Sequence, residues 1–291
     1  MDTPLARELA DLSARRRALE AATVEFTGET RVLTVSNQKG GVGKTTTAVN
    51  IASALAGMGA KVLVIDLDPQ GNASTALGVP HSAEVPSVYD VLIDEFPLAD
   101  IVQESPEDSN LFCAPSTIHL AGAEIELVAQ VAREHRLRRA LEVYLADHPM
   151  DFVIIDCPPS LGLLTINAFT AATEVFIPIQ CEYYALEGLS QLLGSIQMIQ
   201  KHLNPVLHLS TILLTMFDGR TRLAQQVAEE VRTHFPEQVL ETVIPRSVRV
   251  SEAPSCGPTG IAYDGQSAGA IAYREAAVEI ASRTATQSKE K

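Results

Sequence analysis

The sequence lacks the long apolar runs and the cysteine patterns that mark membrane proteins and disulfide-stabilised proteins. No run approaches the roughly 18 uninterrupted apolar residues of a bilayer-spanning helix, and the segment from Met1 to Glu20 is charged, without a signal-peptide apolar block. The four cysteines show neither the CxxC spacing of a metal site nor a disulfide framework; they are Cys113, Cys157, Cys181 and Cys256. We therefore expect a cytoplasmic protein with reduced, buried thiols.

Basic residues are scarce as well. The chain has 22 lysines and arginines against 36 aspartates and glutamates, which gives a formal net charge of −14. A protein that coats nucleic acid neutralises phosphates with clustered lysines and arginines, so this composition argues against that class. A local basic patch is still compatible with it.

Apolar residues are plentiful, at 46% of 291 residues, and this is enough for one main domain with a substantial core. From Arg31 onward, short β-branched runs alternate with longer helical stretches. The predicted strands are Val32–Ser36, Lys61–Ile65, Asn110–Ala114, Phe152–Ile155, Glu174–Ile179, Leu209–Leu214 and Val239–Ile244, and the predicted helices include Thr45–Leu55, Ala121–Tyr144 and Arg222–His234. Strands that are apolar almost throughout are buried on both faces. We therefore expect an α/β fold with a doubly wound, mostly parallel sheet flanked by helices.

The two ends of the chain differ from this pattern. In residues 1–30, Leu5, Leu9, Leu12 and Leu19 recur near helical spacing among charges, which predicts an N-terminal extension that forms an amphipathic helix. This helix either packs on its own domain or docks a partner, such as a polar or scaffold protein. Residues 31–283 form the main domain. Residues 284–291 are polar without an apolar face, which predicts a disordered tail.

A glycine-rich loop, Lys39-Gly40-Gly41-Val42-Gly43-Lys44-Thr45-Thr46, lies between the first predicted strand and a predicted helix. Its glycines let the backbone turn its N–H groups inward, and the helix N-terminus adds its positive end to the anion site. We expect Lys44 to reach the β- and γ-phosphates of a nucleotide and the hydroxyl of Thr45 to ligate Mg²⁺. This context predicts a P-loop.

The loop departs from the strict GxxxxGK[ST] pattern, because the first glycine of that pattern falls on Gln38 and an extra lysine follows at Lys39. A lysine at this position starts outside the phosphate cradle of its own subunit. It is therefore suited to neutralise charge on a nucleotide held across a dimer interface. The alternative is a solvated loop lysine without a role.

Three carboxylates follow predicted strands, at the edge where open α/β sheets bind ligands. Asp66 and Asp68 come after the strand that ends at Ile65, and Asp156 comes after the strand that ends at Ile155. Asp156 has the form of a Walker B acid, which would hold Mg²⁺ directly or through water; the alternative is a helix cap. Either Asp66 or Asp68 must position the water that attacks the γ-phosphate, and strand-end geometry does not choose between the two aspartates.

Five segments occur together in one order: KGGVGKTT, DLDPQGN, DFVIIDCPPSLG, LTMFDGRT and IPRSVRVSEAPS. From about residue 31 to residue 281 the chain thereby resembles the ParA/Soj chromosome and plasmid partition ATPases, within the MinD/ParA class of deviant P-loop proteins. The resemblance implies that ATP binding makes a homodimer that holds the nucleotides between its subunits. It also implies that the dimer binds double-stranded DNA nonspecifically on the nucleoid, and that a ParB-type centromere-binding protein stimulates hydrolysis and release.

The resemblance also implies roles for single residues. Lys39 contacts nucleotide across the dimer, Lys44 is the P-loop lysine, and Asp68 positions the attacking water. Thr45 ligates Mg²⁺, with Asp66 supporting the metal shell beside the Walker B acid Asp156. Gly40 lies close to the opposing subunit, so a bulky residue there should block the dimer. Pro245 resembles the position that contacts the base. The expected nucleotide contacts are thus Lys39, Gly40, Gly41, Val42, Gly43, Lys44, Thr45, Thr46 and Pro245.

For DNA, the resemblance implies arginines on one edge of the dimer, at Arg220, Arg246 and Arg249; solvated surface arginines are the alternative. The chain departs from its relatives after Ser255 and after Asp264, where basic residues are missing. The magnitude of the slope of log K for DNA binding against log salt concentration falls by about 0.9 for each phosphate contact that is lost. We therefore expect weak DNA binding with a shallow salt dependence.

Three other functions fit parts of the sequence. A MinD-like membrane switch shares the loop and the dimer but needs a basic amphipathic C-terminal helix, which residues 284–291 do not supply. A nucleotide-gated adaptor that positions another machine without binding DNA agrees with the acidic charge. An iron–sulfur reductase of related fold requires paired ligand cysteines, and the cysteines here are scattered.

Overall fold

The computed structural model of the protein describes residues 3–26, 28–183, 185–247 and 258–287. Its centre is one sheet with strands β1 (Arg31–Val35), β2 (Val62–Asp66), β3 (Gln103–Glu104), β4 (Leu111–Ala114), β5 (Phe152–Asp156), β6 (Glu174–Gln180), β7 (His208–Phe217) and β8 (Val239–Pro245). The order is β3-β4-β2-β5-β1-β6-β7-β8, and every neighbouring pair is parallel except β3 with β4. The predicted α/β fold class is confirmed.

All seven predicted strands are present, with slightly shifted ends. Residues of the central strands β1, β2 and β5 are almost entirely buried, which is the environment that their continuous apolar character predicted. The short strand β3 was not predicted. It consists of the polar residues Gln103 and Glu104 and pairs antiparallel at the sheet edge, where no apolar pattern is required.

Helices cover both faces of the sheet. They are α1 (Pro4–Ala21), α2 (Lys44–Ala56), α3 (Asn72–Ala76), α4 (Val88–Ile93), α5 (Leu120–Leu127), α6 (Arg136–Asp147), α7 (Leu163–Ala171), α8 (Ala185–His202), α9 (Arg222–His234), α10 (Gly260–Asp264) and α11 (Ala268–Gln287). One apolar cluster lies under α2 and α11, and a larger one lies under α4 to α9. This is the helix–sheet–helix layering of a doubly wound fold.

The prediction of one continuous helix from Ala121 to Tyr144 is wrong. The segment forms α5 and α6, and Ala132 between them adopts a left-handed φ of 50°. The buried side chain of Asn167 on α7 stabilises this break, because its Nδ2 donates to the Arg133 carbonyl at 2.7 Å and its Oδ1 accepts from the Leu137 N–H at 3.2 Å. A tertiary contact therefore interrupts a segment whose own spacing favours helix.

The N-terminal helix α1 contacts its own chain. Arg15 donates from Nε and Nη2 to the two carboxylate oxygens of Glu275 on α11, at 2.8 and 2.5 Å. Leu12 and Leu19 are partly buried, whereas Leu9 is 57% exposed. Packing on the main domain accounts for one side of the helix, and docking of a partner through the other side stays a prediction.

At the C-terminus, α11 continues to Gln287, four residues beyond the boundary at residue 283 that the sequence predicted. Residues 284–287 thus have a helical backbone where we expected the start of a disordered tail. Residues 288–291 lie outside the described residues.

In the described part of the chain, no helix is long and apolar enough to cross a bilayer. Cys113, Cys157 and Cys181 are buried free thiols, as predicted. Burial raises the pKa of Cys157 to about 12, so this thiol stays protonated. Cys256 falls outside the described residues.

Candidate nucleotide site

The phosphate loop joins the C-terminal end of β1 to the start of α2. Gly41 and Gly43 have φ values of 76° and 89°, in the left-handed region where a side chain is strained. At Gly40 and Gly41, no described atom lies within 4 Å of the position of an added Cβ, so this part of the loop faces open space. The unpaired N–H groups of the first turn of α2 lie at the end of the loop, where they can bind an anion.

Contacts with β6 and β7 hold the loop against the sheet. Thr215 on β7 donates its hydroxyl to the carbonyl of the buried Val42 at 2.9 Å. Asn37 donates its Nδ2 to the Pro178 carbonyl on β6 at 2.8 Å and accepts the Lys39 N–H at 3.0 Å. The conformation of the loop is therefore fixed by its neighbours in the sheet as well as by its glycines.

The two lysines of the loop have different surroundings. Lys44 begins α2 and is only 8% exposed, and its Nζ donates to the Lys39 carbonyl at 3.2 Å. Burial lowers the pKa of Lys44, and the negative charge of Asp156 opposes that shift. Lys39 is half exposed, and its Nζ pairs with the carboxylate of Glu182, which follows β6. Lys44 thus lies inside the loop, whereas the ammonium group of Lys39 lies outside it.

Asp156 is the least satisfied polar group of the site. It ends β5, is completely buried, and neither of its carboxylate oxygens accepts a hydrogen bond from any residue that the structure describes. Burial raises the pKa of Asp156 well above the usual carboxyl range, and the neighbouring Asp66 raises it further. Thr45 and Lys44 oppose the rise, the Thr45 hydroxyl from a position close to the carboxylate but outside hydrogen-bond geometry. A buried carboxylate in this state favours a bound cation.

The surroundings of Asp156 fit Mg²⁺ in particular. Within the described ranges there is no group of three or more His, Cys, Asp or Glu side chains that could hold a metal ion by itself. Mg²⁺ is usually bound by one or two carboxylates together with nucleotide phosphates and water, and not by an all-protein cage. One orphaned carboxylate beside the hydroxyl of Thr45, at the start of the anion-binding helix, is such a donor set.

Asp66 and Asp68 are in opposite environments, although only one residue separates them. Asp66 ends β2 opposite Asp156, is fully buried, and has a pKa that burial raises to about 6. Asp68 is partly exposed and accepts the Gln70 N–H on its Oδ1 at 3.0 Å. It borders an open cleft of about 370 Å³ between the 68–70 turn, α5 and the Pro158-Pro159 segment. Asp68 is therefore the acid that solvent can reach.

Comparison with known proteins agrees with this geometry. A family model described as an AAA domain matches residues 30–209. The chain is 54% identical over 251 residues to the sporulation initiation inhibitor protein Soj of Bacillus subtilis, covering 86% of this chain and 98% of that protein. It is 51% identical over 253 residues to the chromosome partitioning protein ParA of Caulobacter vibrioides, covering 87% and 94%. The chain belongs to the ParA/Soj family of partition ATPases.

Solved structures share the ParA/Soj fold. A cobyrinic acid a,c-diamide synthase from Mycobacterium smegmatis, solved with ADP and magnesium, is 41% identical with a TM-score of 0.73, covering 86% of this chain and 93% of that one. An ATP complex of McdA from Cyanothece has a TM-score of 0.76 at 24% identity, covering 86% and 96%, and supports the fold alone. Nucleotide and magnesium are thus bound by a close structural relative of this ParA/Soj-type chain.

The structure describes only two of the three arginines that the resemblance to ParA/Soj proteins assigns to DNA binding. Arg220 is 90% exposed and bonds Asp218 with its Nε and Nη2 at 2.9 and 2.8 Å. This pairing, with a smaller effect of Arg246, lowers the pKa of Asp218 to about 2. Arg246 is exposed and follows Pro245 at the end of β8. Arg249 lies outside the described residues.

Three residues of the site were missed by sequence reasoning. Glu182 follows the buried strand β6, and this is the same signal that identified Asp156 after β5, so it could have been found. Met216, with a left-handed φ of 50°, lies next to Gly43 and carries no sequence signal of strain. Ser74 contacts Asp66 from α3, eight residues later in the chain, and only the fold reveals this contact.

Proposed function

We propose that this protein is a chromosome or plasmid partition ATPase that acts as an ATP-dependent dimer switch on DNA. ATP binding produces the dimer, the dimer binds DNA without sequence preference, and a ParB-type partner stimulates the hydrolysis that releases it. The observation that carries the proposal is the buried, unpaired carboxylate of Asp156 beside Lys44 and the start of α2. Such a group is costly in a folded protein unless a ligand completes it.

Each residue of the nucleotide site has a defined part in this proposal. The N–H groups of the loop and Lys44 bind the phosphates, and Thr45 with Asp156 would hold magnesium. Bound magnesium would neutralise part of the negative charge of the phosphates. Asp68, the acid that borders the open cleft, holds and orients the attacking water.

The dimer uses the part of the loop that faces outward. Around Gly40 there is open space, and the ammonium group of Lys39 lies outside its own loop. A second subunit that approaches this face would bring its nucleotide to Lys39. A lysine delivered across an interface stabilises charge on the transferring phosphoryl group in the manner of other cationic clamps.

DNA binding rests on the weakest set of contacts. Arg220 and Arg246 lie at the ends of neighbouring strands, and the chain as a whole carries a charge of −14. Binding then depends on doubling the arginine edge in the dimer, since phosphate contacts from two subunits add. In the cell the dimer would be cytoplasmic and associated with the nucleoid.

The test is sedimentation of the full chain with plasmid DNA in ATP, in ADP and without nucleotide. Retention on DNA only with ATP is expected. Lys44→Ala should lose nucleotide binding and DNA retention together, whereas Asp68→Ala should keep ATP, turn over poorly and stay on DNA. Equal retention in all three nucleotide states would contradict the switch, and unchanged turnover in Asp68→Ala would remove that residue from its role.

A second candidate is a nucleotide-gated adaptor that positions another machine without binding DNA. The pairing of Arg220 with Asp218 favours it, because that arginine is already neutralised within its own chain. In the same experiment, an adaptor would form the ATP dimer and leave DNA free in solution.

A further inference from the structure

The carboxylate of Asp66 is occupied by donors of its own chain. Its Oδ1 accepts the N–H of Asp68 at 3.1 Å, and its Oδ2 accepts both the N–H and the hydroxyl of Ser74, at 2.9 and 2.7 Å. A carboxylate has about four acceptor sites, so three of them are committed here. The pattern is that of a group that organises backbone, and not of a group open to a metal ion.

The contacts of Asp66 continue into a buried relay. The hydroxyl oxygen of Ser74 accepts the N–H of Ser116, which follows β4, at 3.0 Å. Asp66, Ser74 and Ser116 are all fully buried. The relay therefore joins the end of β2, the first turn of α3 and the segment after β4, and the backbone of Asp68 is attached to it directly.

Asp156 presents the opposite case on the neighbouring strand. The two residues are register partners at the ends of β2 and β5 and are equally buried. Asp66 has three donors, whereas Asp156 has none among the described residues. Of the two acids, Asp156 alone has its full coordinating capacity left for a cation.

We propose that Asp66 and Ser74 are positioning residues that fix the place of Asp68, and that Asp66 is not part of the magnesium shell. The effect of this positioning on turnover rests on the proposed ATPase function, but the contact between Asp66 and the backbone of Asp68 does not. The turn that carries Asp68 is otherwise closed by local bonds, such as the Gly71 N–H to the Asp68 carbonyl at 2.9 Å. Without the Asp66 carboxylate, the Asp68 N–H would lose its bond to the end of β2, while the Leu67 N–H would still bond to the Asp156 carbonyl at 2.9 Å.

The first test needs no nucleotide. In Asp66→Asn, the amide group cannot accept from Ser74 and Asp68 on both sides, so amide hydrogen exchange at Asp68 should become faster. Ser74→Ala removes one donor and should have a smaller effect of the same direction. The matched control is Thr75→Ala on the same helix, since the Thr75 hydroxyl bonds to Gly71 and His81 and not to Asp66. Unchanged exchange at Asp68 in Asp66→Asn would overturn the proposal.

The second test separates positioning from metal binding. We expect Asp66→Asn and Ser74→Ala to bind a fluorescent ATP analogue with the parent's Mg²⁺ requirement, while kcat falls on the order of 10-fold, a usual loss for a residue that orients a catalytic group. A Mg²⁺ half-saturation raised about 10-fold or more in Asp66→Asn alone would place Asp66 in the metal shell and refute the proposal. If Asp66→Asn fails to fold, Ser74→Ala decides by its kcat and its exchange at Asp68.

Measurements on the parent protein distinguish a failure of this proposal from a failure of the proposed function. A parent that does not hydrolyse ATP would contradict the ATPase assignment, and the exchange experiment would still decide whether Asp66 fixes Asp68. An active parent, inactive Asp68→Ala and fully active Asp66→Asn and Ser74→Ala would leave the ATPase assignment intact and refute the positioning role.

Discussion

Single buried charges carry the strongest signal of function in this protein. Asp156 is buried without a hydrogen-bond partner among the described residues, and its pKa is raised by burial and by Asp66. Nothing in the fold requires a carboxylate at that position, since an apolar residue would pack there without a desolvation cost. Residues that reduce stability in this way persist at functional sites, where a ligand compensates them.

Asp156→Asn is therefore expected to stabilise the nucleotide-free protein by about 1–3 kcal/mol at neutral pH, because a carboxyl group with a raised pKa in the folded state costs stability above its unfolded pKa, and an amide does not titrate. Chemical denaturation at neutral pH measures this, and Mg²⁺-dependent ATP binding should be lost in the same variant. Asp147→Asn, at the exposed end of α6, is the control and should change stability by less than about 0.5 kcal/mol. A less stable Asp156→Asn would mean that the carboxylate already has a compensating contact.

The ion pair between Lys39 and Glu182 is the second residue-scale feature with a functional consequence. In the proposed dimer, Lys39 would have to leave Glu182 before it could approach the nucleotide of the second subunit. Half-exposed ion pairs contribute about 0.2–1 kcal/mol, so Glu182→Gln should lower the ATP concentration for half-maximal dimerisation by up to about fivefold. Sedimentation velocity across an ATP titration measures the shift.

Glu187→Gln, a nearby exposed residue on α8, provides the same charge change without the Lys39 contact and should leave the midpoint unchanged. A midpoint that rises in Glu182→Gln would show that Glu182 supports the dimer and does not restrain Lys39.

At the scale of elements, the edge strand β8 is protected by the last helix. Glu279 on α11 accepts the N–H groups of Glu241 and Thr242, at 2.9 and 3.2 Å. Arg283 donates to the carbonyls of Gln238 and Val239, at 3.0 and 2.9 Å. The Gln238 carbonyl also accepts the Ile212 N–H of β7 at 2.9 Å, so it faces into the sheet. The other contacts, such as that to the Val239 carbonyl, occupy backbone groups of β8 that would otherwise be available to another strand.

The double variant Glu279→Ala/Arg283→Ala should lose about 2–4 kcal/mol of stability, since four hydrogen bonds of about 0.5–1 kcal/mol each are removed. It should also aggregate faster on heating, because β8 becomes available for pairing. Denaturation and light scattering check the two effects. Ser282→Ala, on the same helix but bonded only within it, is the control.

Elements differ in how well the sequence predicts them. Strands β1, β2 and β5 were predicted because a buried parallel strand is apolar along its whole length, and α9 was predicted with its observed ends. The break between α5 and α6 was missed because its cause is Asn167 on a distant helix. Strand β3 was missed because two polar residues at a sheet edge carry no periodic pattern.

At the scale of the whole molecule, the protein and its proposed partner DNA are both negatively charged. A chain with a charge of −14 approaches DNA favourably only through a local basic surface, and here that surface includes Arg246 beside an arginine already paired with Asp218. DNA binding should therefore require the dimer and should decline steeply with any loss of charge at this edge.

Arg246→Glu is expected to leave ATP-driven dimerisation unchanged and to weaken retention on plasmid DNA, with the salt slope reduced by about 0.9 for each subunit's contact. Size-exclusion chromatography and a gel shift over a salt series measure the two properties. The control is Lys201→Glu. Lys201 lies at the end of α8, near the N-terminal ends of the strands, whereas Arg246 follows the C-terminal end of β8. Full DNA binding by Arg246→Glu would place the DNA surface elsewhere.

The sequence by itself determined the α/β sheet, the phosphate loop and the identity of the acids at the strand ends. These depend on local patterns: apolar runs, glycine spacing and a carboxylate placed directly after a strand. The tertiary structure decided the surroundings of each acid. Burial and donors from α3 and the segment after β4 occupy Asp66, leave Asp156 unpaired and expose Asp68, and hydrogen bonds between distant segments have no signature in sequence spacing. The same is true of the two lysines of the loop, which differ because Lys44 is buried and donates to the loop backbone, whereas Lys39 meets a carboxylate more than a hundred residues away.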